Sequence, residues 1–135
     1  MTVDDQYEYR KDFVLNLLRE AGIPLKFDAV IGRGGLLKPL HGGVYAVNEQ
    51  MKYDLHHAHH QHVCTLGSLI ADDIARECGC PAFMADPVVV DEMMTRARYT
   101  GLPFMKRESI FHALNAKAAA RRYAKTCGKV YEDRQ

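Results

Sequence analysis

The chain has 135 residues, enough for one domain with an ordinary core. Eighteen Lys and Arg against 17 Asp and Glu leave a formal charge of +1, which gives no electrostatic footprint for nucleic acid. Apolar residues at 47% and charged residues at 26% are those of a soluble globular protein, and no apolar run is long enough to cross a bilayer. The opening Met1-Thr2-Val3-Asp4-Asp5 is acidic, unlike a signal peptide. Of the four cysteines only Cys78 and Cys80 are close in sequence, and Cys-x-Cys is not the usual zinc half-site. Reduced thiols in a cytoplasmic protein are expected.

Residues 5 to about 21 are predicted helical, because Tyr9, Phe13, Leu17 and Ala21 recur every four residues and Gly22 and Pro24 stop the pattern. Asp4 or Asp5 can cap its start, and the broad apolar stripe is expected to lie on something. The run Ala29-Val30-Ile31 suits a short strand buried on both faces. It opens into Gly32-Arg33-Gly34-Gly35, where one arginine at a strand end is placed either to grip an anion or simply to sit in a flexible turn. Gly42-Gly43-Val44-Tyr45-Ala46-Val47 reads as a small hairpin or an extended loop.

Asn48 looks like the cap of a short helix carrying Met51 and Leu55. A histidine-rich stretch, His56 to His62, follows. Leu66, Leu69, Ile70 and Ile74 then restore the helical period up to Gly79. Cys80-Pro81-Ala82-Phe83-Met84-Ala85-Asp86-Pro87 repeats the earlier theme of a helix stop, a short apolar run and a charged strand end. Two such units favour parallel strands joined by crossover helices. A helix is expected from Asp91 to Tyr99, closed by Gly101 and Pro103. A last helix is expected from about Glu108 to Thr126, with Ile110, Phe111, Leu114, Ala118 and Tyr123 on one side.

In the histidine stretch, His56 and His60 share a helical face and could hold a metal ion, but no third ligand is apparent, and a solvated segment with adventitious affinity is the plainer reading. Asp86 could serve magnesium or proton transfer, or could merely cap a turn before proline. His112 is either a boundary residue of the last helix or a working imidazole. No Gly-x-Ser-x-Gly, Walker loop or Gly-x-Gly-x-x-Gly occurs.

Four longer stretches, in order, carry a resemblance. They are Asp28-Ala29-Val30-Ile31-Gly32-Arg33-Gly34-Gly35-Leu36-Leu37-Lys38-Pro39, Pro81 through Met93, Ser109-Ile110-Phe111-His112-Ala113-Leu114-Asn115, and Ala119-Ala120-Arg121-Arg122-Tyr123-Ala124-Lys125. With Asp5-Gln6-Tyr7-Glu8-Tyr9-Arg10-Lys11 they closely resemble the butyrate kinases, in the acetate kinase branch of the sugar kinase, Hsp70 and actin superfamily. The resemblance implies an α/β, helix-rich partial actin-like (ribonuclease H-like) domain with few parallel strands, lacking the family's first strands. It implies ATP-dependent phosphorylation of a short-chain carboxylate, butyrate plus ATP giving butanoyl phosphate plus ADP, with ATP and Mg²⁺ used by the full-length family.

By resemblance, Arg33, Asp86 and His112 are the catalytic residues. Arg33, Gly34, Gly35, His62 and Phe111 would bind the short-chain carboxylate or acyl phosphate. His62-Val63-Cys64-Thr65-Leu66-Gly67 departs from the family's His-Ala-Ser-Asn-Leu-Gly in having Thr65 for Asn. The family's Asn-x-Gly-Ser-type turn and His-Leu-Gly-Gly-Gly loop are not encoded. The expectation is therefore that residues 1–135 form a single partial N-terminal-type domain without the nucleotide-binding C-terminal domain. Such a fragment would be inactive alone, would bind no cofactor tightly and would contain no metal site. It would have no nucleic-acid or membrane partner, and it would self-associate as a homo-oligomer through its open sheet edge. The alternatives are a non-catalytic metal-binding module built on residues 56–62 and a structural oligomerisation module.

Overall fold

The computed structural model describes residues 2–58 and 61–132. The chain divides into two compact units, Met1–Lys38 with Gly43–Pro87, and Pro39–Gly42 with Val88–Gln135. Among the described residues no helix is long and apolar enough to cross a membrane.

The first unit is α/β. Helix α1 (Tyr7–Glu20) follows a 3₁₀ turn at Asp4–Gln6. At that turn Thr2 N donates to Asp5 Oδ2 at 2.6 Å and Asp5 N donates to Thr2 Oγ1 at 3.2 Å. Neither Asp4 nor Asp5 caps α1 itself, whose N-cap, Gln6, makes no side-chain cap bond. Strands β1 (Val30–Arg33), β2 (Val44–Ala46) and β3 (Ala82–Ala85) form one sheet in the order β1-β3-β2. β1 and β3 run parallel, with Arg33 paired to Ala85. β2 lies antiparallel on the other side of β3, so the sheet is mixed rather than parallel, and Val44–Ala46 is neither a local hairpin nor a loop.

Helices α2 (Glu49–His56) and α3 (Leu66–Cys78) lie between β2 and β3 in sequence. Asn48 caps α2 by accepting from Met51 N at 2.8 Å. Leu55, Leu66 and Met84 are buried to 1% exposure or less, with Leu69, Ile74, Ala75 and Ala82 around them. The core is therefore α2 and α3 on one face of β3. Its stabilisation comes from the removal of these side chains from water, about 1.5–3 kcal/mol for each large one.

Two expectations fail on the faces of elements. Ile31 is 60% exposed and β1 is not doubly buried. Helix α1 has no buried residue, and its stripe of Tyr9, Phe13 and Leu17 stays in solvent. The face that packs is Tyr7, Lys11, Leu15 and Leu18, all half-buried. Polar anchoring decides this: Tyr7 Oη donates to Asp73 of α3, and Lys11 Nζ lies 3.5 Å from the same carboxylate. Burial and Asp73 together push the Tyr7 phenol above its ordinary value, so it remains a donor. Lys52 of α2 reaches Asp72 of α3 at 3.1 Å.

Helix α3 approaches β1 more closely than side chains permit. A Cβ on Gly32 would lie 2.5 Å from Gly67 O, and one on Gly67 would collide with Arg33 O. Both obstacles are backbone, so neither can rotate away.

The second unit holds no strand among its described residues, only the isolated bridges Leu40–Val90 and Tyr99–Lys106. The helix expected from Asp91 to Tyr99 is absent, and only a 3₁₀ turn, Thr95–Arg98, forms. The reason is the buried Asp91 carboxylate. It accepts from Met93 N (3.1 Å), Ser109 N (3.2 Å) and both terminal nitrogens of Arg98 (2.6 and 2.9 Å). In an α-helix residues seven apart are separated by about 10.5 Å along the axis, too far for that two-pronged pair.

Helix α4 (Ala113–Thr126) starts five residues later than expected. Phe111 N donates to Val88 O at 2.6 Å, and Phe111 and His112 both take positive φ, which a helix does not allow. His112 therefore precedes the last helix instead of lying inside it. The half-buried face of α4 is Ala113, Leu114, Lys117, Ala120 and Ala124, while Tyr123 is exposed. Lys117 pairs with Glu92 at 2.5 Å, and Glu92 accepts from Gly42 N at 2.9 Å.

Gly67→Ala should destabilise the first unit by about 1–3 kcal/mol, the cost of forcing an atom into a packed site. Gly101→Ala, with nothing within 4 Å of the added atom, should be nearly neutral; urea denaturation compares the two. The Arg98 guanidinium holds the Asp91 carboxyl down to about 2, from an ordinary 3.8. An unfolded chain binds that proton more readily, so this stabilisation is complete above 3.8 and lost as pH falls toward about 2. Asp91→Asn should cost about 3 kcal/mol at neutral pH, because it strands Arg98. It should also flatten the acid limb of a stability-against-pH curve in that window.

Candidate active site

Arg33 is the last residue of β1 and Asp86 the first after β3. Because the strands are parallel and Arg33 is level with Ala85, the two charged residues stand at the same end of the sheet on neighbouring strands. That is where open α/β sheets place ligands. Both side chains belong to exposed residues.

Gly34 and Gly35 have φ of 97° and 126°, open only to glycine, and both are buried. Space forbids side chains there as well. A Cβ on Gly34 would meet Cys64 O at 2.6 Å, and one on Gly35 would meet Leu55 Cδ2 at 3.0 Å and Met84 Sδ at 3.2 Å. The buried Ser68 hydroxyl donates to Gly34 O at 3.3 Å, fixing the glycine turn to the first turn of α3.

His62 stands just before α3, as the cap of the 3₁₀ turn Val63–Thr65, and its Nδ1 accepts from Cys64 N at 3.2 Å. A neutral imidazole accepting at Nδ1 carries its proton on Nε2, so Nε2 of that tautomer is a donor. Since Cys64 backs Gly34, the capping turn and the glycine turn are neighbours. Thr65 Oγ1 is buried there without a hydrogen-bond partner.

Asp86 adopts φ 44° and is clamped to the loop before β2: Asp86 N donates to Gly43 O at 2.9 Å, and Gly43 N donates to Asp86 Oδ1 at 3.1 Å. In place of a local cap of the turn before Pro87, the Asp86 carboxylate is held across the sheet by Gly43, which fixes its position.

Phe111 and His112 belong to the second unit. Their rings are tilted with centroids 6.4 Å apart, and their φ values are 59° and 33°. Among the described residues Asp86, Phe111 and His112 are the only non-glycines with positive φ. Such backbone costs about 1–3 kcal/mol per residue and clusters at functional sites. All three are among the candidate site residues of the sequence. Gly67 and Ser68 are not; a glycine two residues after Thr65 at the helix start was the available signal for the first.

Of the histidine stretch, His59 and His60 lie outside the described residues, so the proposed His56–His60 pair is not described. His57 stacks on Tyr53 at 4.0 Å, its Nδ1 2.8 Å from Tyr53 O. His56 Nδ1 is 4.0 Å from Asp4 Oδ1. Among the described residues no three His, Cys, Asp or Glu come together to hold a metal ion.

No protein-family model matches the chain. Curated relatives do. A probable butyrate kinase of Phocaeicola vulgatus is 66% identical over 131 residues, covering 97% of this chain and 37% of the relative. One of Bacteroides thetaiotaomicron is 58% identical over 132 residues, with the same coverage of each chain. Butyrate kinase 1 of Clostridium acetobutylicum is 52% identical over 134 residues, covering 98% of this chain and 38% of the relative. The chain spans little more than a third of the length of these proteins, and over 97% of its own length it matches proteins named butyrate kinase, of which it corresponds to a fragment.

Proposed function

We propose that this chain is the carboxylate-handling part of a butyrate kinase, an enzyme converting butyrate and ATP to butanoyl phosphate and ADP in the cytoplasm. The observation that carries the reading is Arg33 and Asp86 at adjacent parallel strand ends, in a chain 66% identical over 131 residues to a probable butyrate kinase. Phosphoryl transfer passes through a loose transition state in which charge is spread over the phosphoryl oxygens. It is served by positioned positive charge and donors more than by a covalent partner.

In this reading the Arg33 guanidinium binds the carboxylate or the transferring phosphoryl through paired charge-assisted hydrogen bonds. Gly34 and Gly35 leave room for the acyl chain, and Phe111 supplies an apolar wall. His62 donates to the substrate, His112 steadies the phosphoryl group, and Asp86, held by Gly43, is the active-site carboxylate. Mg²⁺–ATP is assigned to family positions outside the span of this chain. The chain is then one partial N-terminal-type domain of the actin-like class, inactive alone, and the C-terminal domain carries the nucleotide.

Self-association fits the same reading. One edge of β1 has no partner strand among the described residues, Ile31 is exposed, and the apolar side of α1 borders a groove lined by Phe13, Val14, Val63 and Ile70. A homo-oligomer built on that face is proposed.

Thermal melts of the purified chain test the assignment. Butanoyl phosphate should raise the melting temperature by mass action. Arg33→Ala should weaken that response by about 10- to 100-fold in apparent affinity, the loss of one or two charge-assisted hydrogen bonds. Mg²⁺–ATP should cause no shift, and no acyl phosphate should form. A shift with Mg²⁺–ATP would place the nucleotide site in this chain. Indifference to butanoyl phosphate would remove the carboxylate half-site.

A further inference from the structure

Cys78 is the last residue of α3, and Gly79 closes the helix in the left-handed conformation (φ 68°, ψ 31°). Gly79 N donates to Arg76 O at 3.2 Å and Cys80 N to Ala75 O at 3.0 Å, the paired bonds of a Schellman cap. This cap turns the chain sharply between the two cysteines. Cys78 Sγ donates to Leu25 O at 3.6 Å. Both are free thiols of half-buried residues on either side of this turn, with one residue between them, and both meet solvent. Cys64 lies beside Gly34 and Cys127 in the second unit, so neither belongs to this pair.

We propose that Cys78 and Cys80 form a reversible oxidation site that closes to an intramolecular disulfide by exchange with a low-molecular-weight disulfide. Cα atoms two residues apart are separated by at most about 7 Å, and a tight turn shortens that into the roughly 4.4–6.8 Å that a disulfide accepts. Gly79, with no side chain, leaves the small ring unobstructed.

The exchange has an order. Burial, then the neighbouring Cys78, push the Cys80 thiol up, which suits Cys80 to the second, intramolecular step. The Cys78 thiolate attacks one sulfur of the external disulfide, forming a mixed disulfide and releasing one thiolate, which takes up the proton Cys78 lost. The Cys80 thiolate then attacks Cys78 Sγ, and the second external thiol leaves with the proton of Cys80. Two electrons pass from the protein pair to the external disulfide, and two external thiols are produced.

A ring closed across a single residue removes little unfolded-chain entropy and is strained, so it is readily reduced and acts as a switch and not as a staple. It would lock the end of α3 onto the segment entering β3, with Cys80 five residues before Ala85 and six before Asp86.

The test exposes the folded full chain to glutathione buffers of increasing oxidised fraction, followed by acid quench, alkylation and trypsin digestion. The tryptic peptide Glu77–Arg96 contains both cysteines and no other. It should emerge unalkylated and lighter by two hydrogen atoms, with no glutathione attached, and dithiothreitol should restore both alkylation sites. In Cys80→Ser, which cannot complete the second step, glutathione should accumulate on Cys78. The proposal is overturned if both cysteines remain alkylated in the most oxidising buffer. It is equally overturned if each carries its own glutathione or the peptide is cross-linked to a second chain.

Discussion

The contact between Gly67 and the backbone of Arg33 sets the geometry of the first unit. Helix α3 lies on β1 at a distance where backbone meets backbone, because Gly32 and Gly67 both lack a Cβ at the crossing. From that approach follow the reach of Ser68 to Gly34 O, the backing of Gly34 by Cys64, and the seat of His62 one turn before the helix. The same helix supplies Leu66, Leu69 and Ile74 to the core. Core packing and loop placement are therefore one constraint: a side chain that lifted α3 from β1 would loosen both.

What could be read from the sequence was what is local. Asn48 three residues before Met51, the leucine period from Leu66, and Gly79 after Cys78 each act within one or two turns, and each formed as expected. The parallel pairing of β1 and β3 was also legible, because two helix-then-strand units in succession leave few alternatives. The antiparallel partner of β2 was not, since nothing near Val44–Ala46 says that β3 would have a free edge there. Helix α1 carries two apolar stripes. Tyr9, Phe13 and Leu17 make the stronger pattern, but Tyr7 and Lys11 make the anchoring bonds to Asp73, which is 62 or more residues away in the chain. Periodicity sees apolarity and cannot see that partner.

The second unit was misread for the same reason. Residues 91–99 have acceptable helix composition, but the Asp91 carboxylate collects Met93 N, Ser109 N and Arg98, and a charge so well partnered outweighs modest propensity. The late start of α4 has a comparable cause in the bond from Phe111 N to Val88 O. Position at strand ends drew attention to Arg33 and Asp86 but left each with a plain structural alternative, and what the sheet adds is that they stand at the same end of neighbouring parallel strands.

Strained backbone adds an independent line of argument. Asp86, Phe111 and His112 are the described non-glycine residues with positive φ, and two of them are tied by nonlocal bonds, Asp86 to Gly43 and Phe111 to Val88. A capping aspartate or a helix-boundary histidine has no need of such a conformation; each could sit in relaxed backbone at no loss to the fold. Holding them there costs about 1–3 kcal/mol apiece, a sizeable fraction of a small domain's total stability. The cost is understandable if what is held is a side-chain direction. A loose transition state rewards donors and charges that are fixed before the substrate arrives, and a strained residue fixed by its neighbours has little freedom left to lose.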